Sequence, residues 1–181
     1  MKNKLIVISG PSGVGKGTIV NELLKKGDYA LSVSCTTRAP RVGEKEGISY
    51  FFISKQKFLS MIEDGGFLEY DNHFENYYGT PKDFVEKQLQ TKNVILEIEV
   101  NGAFKVKKSY PEAILIMIAP PGMEELKSRL VGRGTESAED IEERLARLDY
   151  ELAQSDKYDY TVINDDLERA IGEIEKIIKN S

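Results

Sequence analysis

Between an apolar run, Leu5 to Ile8, and an amphipathic stretch, Thr18 to Lys26, the chain carries Gly10-Pro11-Ser12-Gly13-Val14-Gly15-Lys16-Gly17-Thr18. This segment constrains the fold more than any other. The apolar run stops at a Gly/Ser-rich turn and reads as a buried parallel strand. The glycines let successive backbone N–H groups turn inward and wrap phosphate oxygens. The helix that follows adds its N-terminal dipole, and Lys16 can reach the β- and γ-phosphates of a nucleotide. Position 17 is Gly17 rather than Ser or Thr, so it offers no hydroxyl to a metal. A magnesium ion here is expected to be held mainly by phosphates and water.

Val94 to Ile98, Ala113 to Ile118 and Tyr160 to Ile163 are further strand-like runs, and amphipathic segments separate or follow them. Ile19, Val20, Leu23 and Leu24 share a helical face. Thr80-Pro81 reads as a cap and first turn for a helix over 82–90. Ser137 and Asp140 resemble a capping box before a helix with Ile141, Leu145, Leu148 and Leu152 on one stripe. A last helix is expected from about Asp166 to Lys179. The alternation predicts an α/β fold in three layers around a mainly parallel sheet. Two stretches break the rhythm. Residues 33–80 are strand-rich and aromatic, with a short helix at about Lys55 to Asp64, and read as an inserted lobe. Residues 125–145, which include the basic run Arg129 to Ser137, read as a short lid. The core is then 1–32, 81–124 and 146–181.

With 25 Lys plus Arg against 30 Asp plus Glu, the net charge is −5, which argues against nucleic acid as a partner. No apolar stretch approaches the roughly 20 residues of a membrane span. Cys35 is the only cysteine and cannot form an intrachain disulfide, so a reducing, cytoplasmic setting is expected. Oligomeric state is left open.

The segment from Ser34 to Tyr50 carries Arg38 and Arg41 around Pro40. Two such guanidinium groups can fork onto one phosphate, and Tyr50 and Tyr78 can donate hydroxyl hydrogens to it. Taken alone, the pair reads equally well as surface arginines. Glu69 taken alone reads as a solvated strand carboxylate.

The ordered set GPSGVGKGT, SCTTRAPRVGEKEGISYFF, Glu69, NYYGT, ILEIEVNG, IAPPGMEELKSRLVGRGTES and VINDDL resembles the guanylate kinases along essentially the whole chain. The resemblance implies transfer of the terminal phosphoryl group of ATP to GMP, with Mg²⁺ accompanying ATP. It also implies a place in purine nucleotide metabolism and GMP recycling. Guanine presents donors at N1 and N2 and an acceptor at O6. Glu69 can accept from the two donors, and Ser34 and Thr80 can donate to O6. Adenine lacks that donor pair and would leave the carboxylate unpaired. The resemblance assigns Arg38, Arg41, Tyr50 and Tyr78 to the GMP phosphate.

Alternation puts Glu97 and Glu99 on one face of a strand. Glu99 is expected near the guanine and Glu97 near metal-bound water. Many members of the family have aspartates at these positions, and the position of Asn101 more often carries Gln. The ATP site is assigned to residues 10–18 with Arg129 and Asn164, the last lining the adenine pocket by resemblance.

The acceptor phosphate, with a second pKa of about 6, is already largely anionic, so His73 is not needed as a base. Catalysis must come from positioning and charge stabilisation. The resemblance implies Lys16, Arg133 and Arg144, together with Arg38, as the cationic candidates. Arg129 and Arg147 read equally well as solvated. The rivals are a non-catalytic guanylate-kinase-like binding module and a kinase for another monophosphate. Intact Lys16 and arginines argue against the first, and Glu69 with Thr80 against the second.

Overall fold

The computed structural model describes residues 2–73, 75–122, 146 and 148–181. A five-stranded sheet forms the core. Its strands are β1 (Leu5–Ser9), β2 (Tyr29–Leu31), β7 (Asn93–Glu97), β8 (Ile114–Ala119) and β9 (Tyr160–Ile163), in spatial order β2-β7-β1-β8-β9. Every neighbouring pair is parallel. The strand β1 is central and fully buried, as its unbroken apolar sequence requires.

Successive side chains of β1 point to opposite faces and seed two cores. Ile6 and Ile8 pack with Ile19, Val20 and Leu23 of α1 (Lys16–Lys25). On the same face lie Ala170, Ile171, Ile174 and Ile178 of α5 (Leu167–Asn180). Leu5 and Val7 pack with Val85 of α3 (Lys82–Leu89) and with Val100, Ala103 and Val106 of α4 (Val100–Ser109). The result is the expected three-layer α/β arrangement. The α5 helix starts at the Asp166 side chain, which accepts the Arg169 N–H at 2.9 Å.

Residues 35–81 add a second, four-stranded sheet in the order β4-β3-β6-β5. Its strands are β3 (Cys35–Thr36), β4 (Phe51–Phe52), β5 (Phe67–His73) and β6 (Asn76–Pro81). The helix α2 (Lys55–Glu63) is capped by Ser54, whose side chain accepts the Lys57 N–H. Its Phe58 is fully buried and stacks on Phe67 at 4.4 Å between ring centroids.

Three expectations need correction. Glu97 and Glu99 do not share a strand face, because β7 ends at Glu97 and Glu99 is the N-cap of α4. Thr80 does not cap α3. That helix starts from Pro81, and Thr80 stays in β6 with its hydroxyl committed elsewhere. Of the aromatic runs that make 33–80 read as strand-rich, Phe67 to Tyr70 is strand throughout, whereas in Tyr50 to Ile53 the strand covers only Phe51 and Phe52. The lid with Ser137, Asp140, Ile141 and Leu145 lies outside the described residues. Leu148 is buried against the α1 and α5 side of the core, as its stripe predicts. No described helix is long and apolar enough to cross a membrane.

Candidate active site

The phosphate loop joins β1 to α1. Gly10, Gly13 and Gly15 take φ values of 143°, 86° and 90°, a region that side chains with a Cβ rarely adopt. Gly10 is constrained twice, because a Cβ there would collide with the Ile118 carbonyl of β8. Val14 of the loop is buried in the core and anchors it. Lys16 folds back over the loop, donating to the carbonyls of Gly10 at 2.5 Å and Pro11 at 2.9 Å. Asn164, just past β9, donates from Nδ2 to the Val14 carbonyl at 2.7 Å. A Cβ at Gly15 would stand only 2.6 Å from that nitrogen. Asn164 is therefore a brace for the loop in addition to the adenine role expected of it.

Gly17 lies in the first turn of α1, toward the end of β7. A Cβ built on Gly17 would lie 3.9 Å from Glu97 Oε1. The space that a position-17 hydroxyl would enter in a Ser- or Thr-bearing loop is thus overlooked by a carboxylate. Among the described residues no group of three His, Cys, Asp or Glu side chains could hold a metal. A single exposed acidic residue beside a phosphate site fits magnesium that keeps its waters.

Across the strand ends lies a cleft of about 600 Å³. Its wall includes Ser34, Arg38, Arg41, Tyr50, Glu69 and Tyr78. Glu97, Glu99, Asn101 and Gly102 close it from the β7–α4 side. The sequence-predicted acceptor residues therefore meet in one place. Thr80 sits just behind, fully buried, and donates from Oγ1 to Glu69 Oε1 at 2.6 Å.

Glu69 is not the solvated carboxylate that its sequence context suggests. Burial pushes its carboxyl above the ordinary value, against the opposing pull of the Thr80 hydroxyl and of Lys105. Gly102 leaves room at this spot: a Cβ there would lie 3.5 Å from Glu69 Oε2. Lys105, one turn along α4, donates to the Tyr70 carbonyl at 2.7 Å and so ties the helix to β5.

At the cleft's other end Arg38 is held from several sides. Its Nε donates to the Tyr78 hydroxyl at 3.3 Å, and its Cζ lies 5.6 Å from the Tyr50 ring centroid. Tyr50 and Tyr78 meet edge to face at 6.0 Å. Glu44 takes the end of the guanidinium, with Nη1–Oε2 at 3.0 Å and Nη2–Oε1 at 2.8 Å. Sequence reasoning missed Glu44, because a Gly-Glu-Lys-Glu-Gly run reads as an ordinary solvated turn. The available signal was its spacing, three residues after Arg41 and six after Arg38.

Cys35 neighbours Ser34 but is buried, and its thiol is pushed up to about 11 chiefly by burial. It is a thiol at neutral pH and not a nucleophile. His73 pairs with Asn76 at the β5–β6 turn. Arg129, Arg133, Arg144 and Arg147 lie outside the described residues.

A glycine loop at the end of a central parallel strand, a helix-borne lysine over it and an arginine–tyrosine pocket across the strand ends are the features of a P-loop phosphotransferase. The guanylate kinase family model matches residues 2–181. The chain is 53% identical over 176 residues to the guanylate kinase of Caldanaerobacter subterraneus subsp. tengcongensis, covering 96% of this chain and 85% of the relative. It is 47% identical over 184 residues to that of Prochlorococcus marinus subsp. pastoris, covering 99% of this chain and all of the relative. The crystal structure of guanylate kinase from Anaplasma phagocytophilum superposes with a TM-score of 0.74 at 33% identity, covering 98% of this chain and 85% of that one. The chain belongs to the guanylate kinase family.

Proposed function

We infer that the chain transfers the terminal phosphoryl group of ATP to GMP, giving ADP and GDP. The observation that carries the acceptor's identity is the half-buried Glu69 carboxylate at the cleft wall, backed by a hydroxyl donor. A carboxylate held out of water demands donors, and the N1/N2 edge of guanine supplies two. Adenine, cytosine and uracil do not offer that pair, and the unpaired charge would penalise them.

In this reading the ATP phosphates lie in the Gly10–Thr18 loop under Lys16. The GMP phosphate lies against Arg38, Arg41, Tyr50 and Tyr78. Thr80 spends its single hydroxyl hydrogen on Glu69, so Ser34 is the better placed donor for guanine O6. Glu99, at the start of α4, stands on the base side of the cleft. Arg133 and Arg144 complete the cationic set by family pattern, with Arg129 and Asn164 on the ATP side.

The acceptor arrives already anionic, so the residues need only align two phosphates and offset their charge. In this reading Lys16 supplies positive charge from the loop, and Arg38 and Arg41 supply it from the wall of the cleft. Mg²⁺ accompanying ATP would neutralise phosphate charge, and Glu97, which overlooks Gly17, would hold it through water. ATP and GMP are the substrates, in purine nucleotide metabolism and GMP recycling in the cytoplasm. A substrate panel tests this reading. With ATP as donor, GMP should be phosphorylated far faster than AMP, CMP, UMP or dTMP. Equal use of another monophosphate would contradict it.

A further inference from the structure

We propose that Glu44 is a positioning residue for the acceptor phosphate, gripping the Nη1/Nη2 end of Arg38 so that the adjacent Nε/Nη2 side is the one left to the phosphate. The proposal rests on the reading of Arg38 as a phosphate ligand. A guanidinium has two edges that can hold an oxyanion by paired hydrogen bonds, the Nη1/Nη2 end and the Nε/Nη2 side. Glu44 spans the end, with its oxygens 3.0 and 2.8 Å from Nη1 and Nη2. The outer hydrogen of Nη1 goes to the Ala39 carbonyl at 2.7 Å. The Nε hydrogen points at the Tyr78 hydroxyl over a long 3.3 Å. With the Nη1/Nη2 end and the outer Nη1 hydrogen taken, the side left to an incoming phosphate is Nε/Nη2, where it would use the second Nη2 hydrogen and replace or share the long Nε bond to Tyr78.

The same carboxylate fixes the chain that carries the second arginine. Glu44 Oε2 accepts the Arg41 N–H at 2.7 Å, and the Glu44 N–H donates to the Arg41 carbonyl at 3.0 Å. The turn between them uses Gly43 at φ 89°. One side chain thus sets the rotation of Arg38 and the backbone of Arg41 together. Both partners are mostly covered, at 14% and 22% side-chain exposure for Arg38 and Glu44. The Arg38 guanidinium and the Arg41 N–H hold the Glu44 carboxyl below its ordinary value, so the grip persists through the neutral range. A carboxylate that merely occupied the phosphate's place would have to leave on binding. Here leaving would break its bonds to Arg38 and to the Arg41 backbone at once.

The test measures dissociation constants of GMP, guanosine and ATP for the whole chain and its variants. Glu44→Ala should weaken GMP about ten- to hundred-fold, the worth of a lost charge-assisted arrangement. Guanosine, which lacks the phosphate, and ATP should stay within about twofold. A purely structural defect would lower all three together and would overturn the proposal. So would unchanged or tighter GMP binding, the latter marking Glu44 as a competitor. If Glu44→Ala does not fold, Glu44→Gln carries the test, since it keeps an oxygen for the Arg41 N–H and loses the charge facing Arg38. Arg38→Met separates the levels. If it loses GMP binding while the Glu44 variants do not, the positioning role is wrong and the acceptor site stands. If it too binds GMP normally, the acceptor-site reading itself fails. In the Arg38→Met background, Glu44→Gln should cost nothing further, and a full additional loss would overturn the coupling.

Discussion

Thr80 on β6 donates its hydroxyl hydrogen across 2.6 Å to Glu69, its register partner on β5. The bond fixes one carboxylate oxygen and leaves the other, Oε2, toward Gly102 and the cleft. Glu69→Gln keeps the length and turns an acceptor into an amide donor facing a guanine donor. The specificity constant for GMP should fall about ten- to hundred-fold, with ATP affinity unchanged. Measuring both constants decides the point, since equal losses would place Glu69 outside the guanine site.

The same substitution should act in the opposite direction on stability. Burial raises the Glu69 carboxyl in the folded protein. A carboxylate whose folded pKa lies above its unfolded one destabilises the fold when ionised. That cost is fully present above the raised pKa and disappears as pH falls through it. Glu69→Gln without ligand should therefore melt at the same temperature as the parent or higher at pH 8, with any gain shrinking on acidification. Melting curves across that range check the sign.

Guanosine binding should follow the same titration. With Glu69 as the proposed guanine acceptor, binding needs the ionised carboxylate, and guanosine has no phosphate to titrate. Its affinity should weaken as pH falls through the raised Glu69 pKa, above the usual carboxylate value of about 4.3. Asp71 works with this shift and Lys105 against it. The titration should be missing from Glu69→Gln.

Lys16 lies over the loop on carbonyls of Gly10 and Pro11. In the proposed reading ATP displaces those bonds and the ammonium meets the phosphoryl charge. Lys16→Ala should keep the fold and lose about 10²–10³ in kcat, the cost typical of removing one transition-state donor. Near-normal turnover in a folded variant would exclude the role.

Asn164 reaches the Val14 carbonyl from the far strand end. Asn164→Ala removes one ordinary hydrogen bond to the loop, worth about 0.5–1.5 kcal/mol. ATP affinity should drop roughly two- to tenfold, while GMP affinity holds. Parallel titrations of both nucleotides distinguish this from a general loss.

The parts that were legible in the sequence are those where one local pattern has one physical meaning. Gly10, Gly13 and Gly15 between an apolar run and an amphipathic one admit few backbone paths, and the loop came out as read. The apolar strands of the parallel sheet were equally plain, because burial on both faces requires continuous hydrophobic runs. The α4 helix was not legible, since Asn101 and Gly102 lie in its first turn and weaken the helical pattern. The short β2 strand was missed for want of length. Thr80-Pro81 looked like a cap because local chemistry favours it, yet pairing with β5 holds Thr80 in a strand. Glu44 and the burial of Glu69 depend on contacts distant in sequence or on loop geometry, which spacing alone does not encode.

The most direct measurement follows the γ-phosphate of ATP. The purified chain is incubated with GMP and ATP labelled in that phosphate, and the nucleotides are separated. The expected result is label in the β-phosphate of GDP, with one ADP formed for each GDP. Label released as inorganic phosphate with GMP left intact, or no transfer at all, would contradict phosphoryl transfer to GMP.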